Sequence, residues 1–251
     1  LVGSEMCIRD SSYYDQLCGL TLSTSEVRGL GFPLSKGLVH REHVIAQGTI
    51  NGAAYALEHG IAMNIAGGTH HAYSNRSEAF CMLNDQAIAA QWLLDNGKAN
   101  KILILDLDVH QGNGTAAIFS NNEKVFTFSM HGEKNYPFRK EKSDWDIALP
   151  DQTDDATYIK ILADSLDDLY QNVQPDFVFY LCGVDVIAQD KLGRLGLSVL
   201  GCKQRDEMVL QWCRRHALPV QCSMGGGYVP EISVLVEAHA NTFRLAQDIY
   251  F

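Results

Sequence analysis

The chain has 251 residues, of which 46% are hydrophobic and 20% charged, and its formal net charge is −10. This composition supports a real core and excludes a disordered chain, and the acidity argues against direct nucleic-acid binding, which needs basic patches. The same acidity suits solubility and is compatible with a cationic small molecule or a basic peptide as ligand.

In chain order, the first dozen residues, LVGSEMCIRDSS, show neither periodicity nor a signal-peptide pattern and read as a truncated or foreign start. IAMNIAGG (61–68) predicts a short buried strand. NDQAIAAQWLLDNG (84–97) predicts a helix with Asn84 or Asp85 as N-cap and Gly97 as the stop. KILILDLDV (101–109) is the strongest strand signal, and KVFTFSMH (124–131) is another. Residues 154–173 place Tyr158, Ile161, Leu162, Ser165 and Leu169 at helical spacing. DFVFYLCGVD (176–185) predicts a strand, 198–216 a helix, LPVQCSM (218–224) a strand and 231–249 a last helix. Strands apolar on both faces and separated by helices imply an open, mostly parallel sheet covered on both sides, hence an α/β fold in one domain. No repeat, linker or low-complexity tract divides it. Seven cysteines form no C-x-x-C pair, which reads as a reduced intracellular protein, cytoplasmic or, in a eukaryote, nuclear. No apolar run approaches the roughly 20 residues of a membrane span.

Five polar clusters lie at or after predicted strand ends: GGTHHA (67–72), LDLDVHQGNGT (105–115), SMHGEKNYPF (129–138), CGVD (182–185) and MGGGY (224–228). In an open parallel sheet the carboxyl ends of the strands line the ligand crevice. Asp108, His110 and Asp185 make a metal set: three N and O ligands with one position for water is the pattern of a catalytic zinc. Each acid alone could equally cap a helix or form an ion pair. Asp106, Asp108 and His110 together at one buried strand end need a counter-charge. His70 and His71, adjacent after two glycines, suggest a catalytic base and its helper, although a lone core histidine is usually only satisfied by a hydrogen bond. Tyr228 follows three glycines, where the backbone can come close to a ligand and the phenol can donate to a developing oxyanion.

The motifs GGTHHA, FCMLND, DLDVHQGNGT, SMHGEKNYPF, GVDVIAQDKLGRLGLS and GGGY, in this order, resemble the histone deacetylase superfamily, most closely its class IV and related bacterial branch. The likeness runs from about Val27 to the C-terminus, so residues 1–26 are set apart as doubtful and 27–251 as the catalytic domain. The resemblance implies the arginase–deacetylase fold, with about eight parallel strands, and zinc-dependent hydrolysis of an N-acetyl- or N-acyl-lysine in a protein or histone, or of a similar acylated amine. It implies Asp108, His110 and Asp185 as zinc ligands. It makes His70 and His71 the histidine pair, with Asp106 the partner of His70 and Asn113 that of His71, and it makes Tyr228 the oxyanion donor. Phe80, Gly226 and Gly227 would line the substrate tunnel. Asp106, Asp108, His110, Ser129 and Met130 would hold a structural potassium ion, largely by main-chain carbonyls. With a charged partner only on His70, His71 is expected to be neutral and to act as the base.

The sequence departs from its relatives in three places. Ala79 stands where Gly often precedes Phe-Cys, which would narrow the tunnel. Lys191 replaces a common Arg, and the N-terminal region is short. An inactive, N-terminally truncated acyl-lysine-binding fragment is therefore an alternative. A binuclear-metal ureohydrolase shares the expected fold, but DVHQGN offers no acid two residues after His110 for a second metal.

Overall fold

The computed structural model describes residues 10–251. The core of the architecture is a six-stranded, wholly parallel sheet in the order β1-β6-β5-β2-β3-β4. The strands are β1 (Ile61–Asn64), β2 (Ile102–Asp106), β3 (Val125–Gly132), β4 (Trp145–Leu149), β5 (Phe177–Leu181) and β6 (Val220–Ser223). Eight helices accompany them among the described residues: α1 (Ser11–Gly19), α2 (Thr24–Leu30), α3 (Lys36–His59), α4 (Asp85–Asp95), α5 (Asn113–Phe119), α6 (Asp155–Val173), α7 (Val199–Arg215) and α8 (Ile232–Tyr250). No helix among these residues is long and apolar enough to cross a membrane.

The central strands β2 and β5 are buried at every position, as their unbroken apolar runs require. Their alternation sorts the core into two layers. Leu103, Leu105, Val178 and Tyr180 pack with residues of α6, α7 and α8 on one face. Ile102, Ile104, Phe177 and Phe179 pack with α1, α3 and α4 on the other. Helices α4, α6 and α7 start where the sequence reading places them, and each start is capped: Asn84 accepts from the Ala87 amide, Asp154 from Thr157 and Ser198 from Gly201.

The structure differs from the sequence reading in three ways. Six strands are present among the described residues, where the resemblance implies about eight. The stretch 10–59, ahead of β1, carries the three helices α1, α2 and α3, with a full capping box between Ser23 and Glu26. β4 is a short edge strand whose partly exposed WDIAL pattern carries little apolar signal. The long helix α3 goes beyond what the pattern identifies, because polar Glu42 and Thr49 occupy its buried stripe. The reading of the first dozen residues as foreign falls mostly on residues 1–9, outside the described part. From Asp10 onward, Tyr13 and Leu17 are buried in the α3–α4 layer.

Successive connections leave β2 toward β3 and β4, then return across it to β5 and β6. The order of the sheet thus reverses between β2 and β5. In open α/β sheets this is the place for a ligand, at the carboxyl ends of the strands.

Candidate active site

The alternation that buries Leu103 and Leu105 continues past β2, so Leu107 and Val109 enter the same apolar layer. Asp106, Asp108 and His110 consequently turn to the other side, at the end of the sheet. Asp185 arrives from the loop after β5 and is fully buried. Asp108, His110 and Asp185 bring one ligand atom each to within 4.8 Å of one another, and they are the one such group of His, Cys, Asp and Glu among the described residues. His110 Nδ1 lies 3.0 Å from Asp108 Oδ1 and 3.2 Å from Asp185 Oδ2.

These residues fit a metal ion. Two atoms each about 2.0–2.2 Å from a tetrahedral centre lie about 3.3–3.6 Å apart, close to the spacing seen. Asp185 Oδ2 is buried and accepts no hydrogen bond, while Asp185 Oδ1 accepts from the Val109 amide at 3.0 Å. Burial and the charge of Asp108 push the Asp185 carboxyl up to about 7. Burial would lower His110, but its hydrogen bond to Asp108 and the negative charges of Asp185 and Asp108 outweigh this and raise it to about 10. Two buried carboxylates sharing one imidazole are short of positive charge, and a cation would supply it. The Gly226 backbone closes the cradle, donating its N–H to Asp108 Oδ2 at 3.0 Å. A Cβ on Gly226 would lie 2.1 Å from Asp185 Oδ2.

His70 and His71 sit beside this group on the loop after β1. Asp85 holds the loop by accepting the amides of Gly68 and Thr69, both at 2.9 Å. His70 Nδ1 is 2.7 Å from Asp106 Oδ2, and His71 Nδ1 is 2.7 Å from Asn113 Oδ1. The two Nε2 atoms are 3.2 Å apart. Burial acts against a charged ring at both, but Asp106 and Asp108 outweigh it at His70 and raise it. At His71, burial and the neighbouring His70 hold the ring well below the usual histidine range, and the Asn113 hydrogen bond does not offset them.

A cavity of about 720 Å³ opens over both groups. Phe80, Gly226 and Tyr228 line it, whereas Gly227 lies against Leu235 and Val184. Phe32 stands against Phe80 with ring centroids 5.0 Å apart, and Phe138 is 91% exposed at the mouth. Ala79 and Phe80 both have positive φ, 44° and 69°, so a glycine at 79 would relieve backbone strain as well as bulk. The Ala79 and Phe80 amides donate to the carbonyls of Gly29 and Leu30, which ties the tunnel wall to α2. Asp106 faces Ser129 in the β2–β3 register and Met130 follows, buried. The Ser129 hydroxyl engages His131 Nδ1 at 2.9 Å.

Sequence reasoning missed several supporting residues. Fully buried Arg205 donates to the carbonyls of Leu107, Cys182 and Gly183 and pairs with Asp206, clamping the two ligand-bearing strand ends. Asp190 accepts the amides of Leu192, Gly193 and Tyr228. The overall acidity does not extend to the mouth, where Arg41, Lys134, Lys191 and Arg194 line the rim and Asp151 pairs with two of them.

A parallel sheet with a metal-ready Asp–His–Asp group and a histidine pair at its reversal point defines a hydrolase class with the arginase–deacetylase fold. Comparison with known proteins narrows it: the profile of the histone deacetylase domain matches residues 8–243, and the chain belongs to the histone deacetylase family. An uncharacterized protein of Picosynechococcus sp. is 46% identical over 243 residues, 97% of this chain and 81% of that protein. Histone deacetylase clr6 of Schizosaccharomyces pombe is 34% identical over 78% of this chain and 50% of its own length. Histone deacetylase 2 of Arabidopsis thaliana is 32% identical over 72% and 48%. The chain thus matches about half the length of these two histone deacetylases. Membership in this metal-dependent family supports a deacetylase-type hydrolase acting on amide bonds.

Proposed function

We propose that the protein is a zinc-dependent deacylase that hydrolyses the amide of an N-acyl-lysine or a similar acylated amine. The observation that carries this reading is the junction of two groups in one cavity: Asp108, His110 and Asp185 within 4.8 Å of one another, and His71 Nε2 beside them with His70. Zinc held by these three ligands would polarise the amide carbonyl and bring a water toward a pKa near ~7. His71, neutral and oriented by Asn113, takes a proton at Nε2 from the attacking water and returns one to the leaving amine. His70, held by Asp106, is the charged neighbour that stabilises negative charge building in the cavity. The Tyr228 hydroxyl donates to the carbonyl oxygen as it gains charge. Phe80 and Phe32 give the acyl-lysine stem an apolar wall. Asp106, Asp108, His110, Ser129 and Met130 would hold, largely by main-chain carbonyls, a potassium ion that stiffens the β2–β3 end.

A mononuclear site is favoured over the binuclear ureohydrolase arrangement, because the described residues offer one ligand group and not the extra carboxylates a second ion needs. An inactive binding fragment predicts metal and ligand binding without turnover. The test is zinc-loaded protein assayed against acetyl-lysine, longer acyl-lysine and acetylpolyamine substrates. Turnover of at least one, lost on chelation and restored by zinc, supports the deacylase. Binding without turnover overturns it.

A further inference from the structure

Asn113 is buried, and its amide can point two ways that differ only in which end meets His71. Its surroundings choose. Asn113 Nδ2 donates to Glu78 Oε1 at 2.8 Å and to the Tyr73 hydroxyl oxygen at 3.1 Å. Glu78 as a carboxylate can only accept. The single proton of the Tyr73 hydroxyl is already given to Glu141 Oε1 at 3.1 Å, so Tyr73 also meets Asn113 as an acceptor. Both amide hydrogens are therefore claimed on the side away from His71, and Oδ1 must face the ring. A flipped amide would set two oxygens against each other. With Oδ1 toward it, His71 Nδ1 must carry a hydrogen, and the lone pair is left on Nε2, the atom that faces His70 Nε2 at 3.2 Å. This is the tautomer a general base needs.

We propose that Glu78 is a positioning residue for the reaction: it fixes the Asn113 amide and through it the tautomer of His71. This rests on the reading of His71 as the base. A carboxylate thus stands one hydrogen bond beyond the amide that holds His71. Glu78 also receives the Tyr136 hydroxyl on Oε1 at 2.5 Å and Arg76 Nε on Oε2 at 3.3 Å. Tyr136 stands edge-on to His71, with centroids 5.0 Å apart. Glu78 belongs to the turn that carries Ala79 and Phe80, bridged to Cys81. One carboxylate thus joins the tunnel wall to the base.

The test transposes the charge. In Glu78→Gln the side-chain amide can donate to Asn113, so the Asn113 amide is free to turn. ¹⁵N NMR of His71 in the full chain should change from a single Nδ1–H tautomer to a mixture, and kcat/KM should fall about 10-fold. Asn113→Asp alone places two carboxylates in contact and should also lose activity. The double variant Glu78→Gln, Asn113→Asp moves the charge inward, with the introduced amide at position 78 donating to the introduced carboxylate at position 113. It should restore the Nδ1–H tautomer and return kcat/KM to within about 3-fold of the parent. Additive losses, or a Glu78→Gln protein that keeps the single tautomer, overturn the proposal, because a mere tie between loops predicts both. The NMR readout needs no turnover: if the tautomers respond as stated but no variant hydrolyses acyl-lysine, the deacylase reading fails and the positioning role stands.

Discussion

The Nε2 atoms of His70 and His71 face each other at 3.2 Å, yet their far nitrogens are held by unlike partners, a carboxylate on Asp106 and an amide on Asn113. Two neighbouring rings in one cavity are thereby given different charge preferences, which is how a site separates a base from an electrostatic helper.

The first expectation concerns this pair. At matched zinc occupancy, His71→Ala should lower kcat by about 10²–10⁴-fold, and His70→Ala should cost less. Steady-state rates on an acetyl-lysine peptide, with metal content measured in each sample, decide it. A His71→Ala protein more active than His70→Ala reverses the two roles.

Tyr228 lines the same cavity and is half-exposed within it. Tyr228→Phe should reduce turnover by about 10²–10³-fold, the usual cost of one oxyanion donor, with zinc content unchanged. An unaltered rate removes the tyrosine from the reaction.

Metal content tests the ligand group directly. The parent should bind one zinc per chain by elemental analysis, and Asp185→Ala should lose it. Gly226→Ala should also weaken zinc binding, by about 10-fold or more, because its Cβ would sit 2.1 Å from Asp185 Oδ2. Full occupancy in both variants would place the ion elsewhere.

Glu42 gives the protein a pH-dependent stability away from the site. Its side chain, on the buried face of α3, is 3% exposed, and burial, opposed by Arg41 and aided by Asp85, pushes its carboxyl up to about 7. The folded state therefore binds this proton more tightly than the unfolded chain does. Stability from this group is present below about 4.5 and falls as pH rises through about 7. The loss is at most on the order of 3 kcal/mol. Glu42→Gln should remove it, so that thermal melts of the variant gain on the parent at pH 8 but not at pH 4.5. Equal gains at both pH values would show that Glu42 does not titrate in this way.

The rim cations Arg41, Lys134, Lys191 and Arg194 should steer anionic flanks toward the mouth. Acetyl-lysine peptides with Asp or Glu beside the lysine should show kcat/KM several-fold above those with Lys or Arg, and added salt should narrow the gap. Lys191→Glu with Arg194→Glu should invert the preference. A parent that favours basic flanks contradicts this expectation.

The residues that meet at the reversal point were readable one motif at a time. The run KILILDLDVH has period two, so its own alternation separates Leu105, Leu107 and Val109 from Asp106, Asp108 and His110, and burial of the leucines leaves the acids one place to go. The caps Asn84, Asp154 and Ser198, and the glycines before His70 and Tyr228, act through neighbours within a few positions, so their signals are local. Other features have no local signature. Arg205 sits in an amphipathic helix pattern that reads as surface, and only the folded chain shows it fully buried against carbonyls 98, 23 and 22 residues away. Glu78 meets Asn113 and Tyr136 across 35 and 58 residues, and an isolated Glu in a turn usually means a solvated charge. Sequence alone determined which residue types end each strand and therefore what chemistry is available. The tertiary structure decided which of them touch, because that depends on strand order and on which face each loop crosses, and neither is encoded within the few residues over which hydrophobic period and capping act.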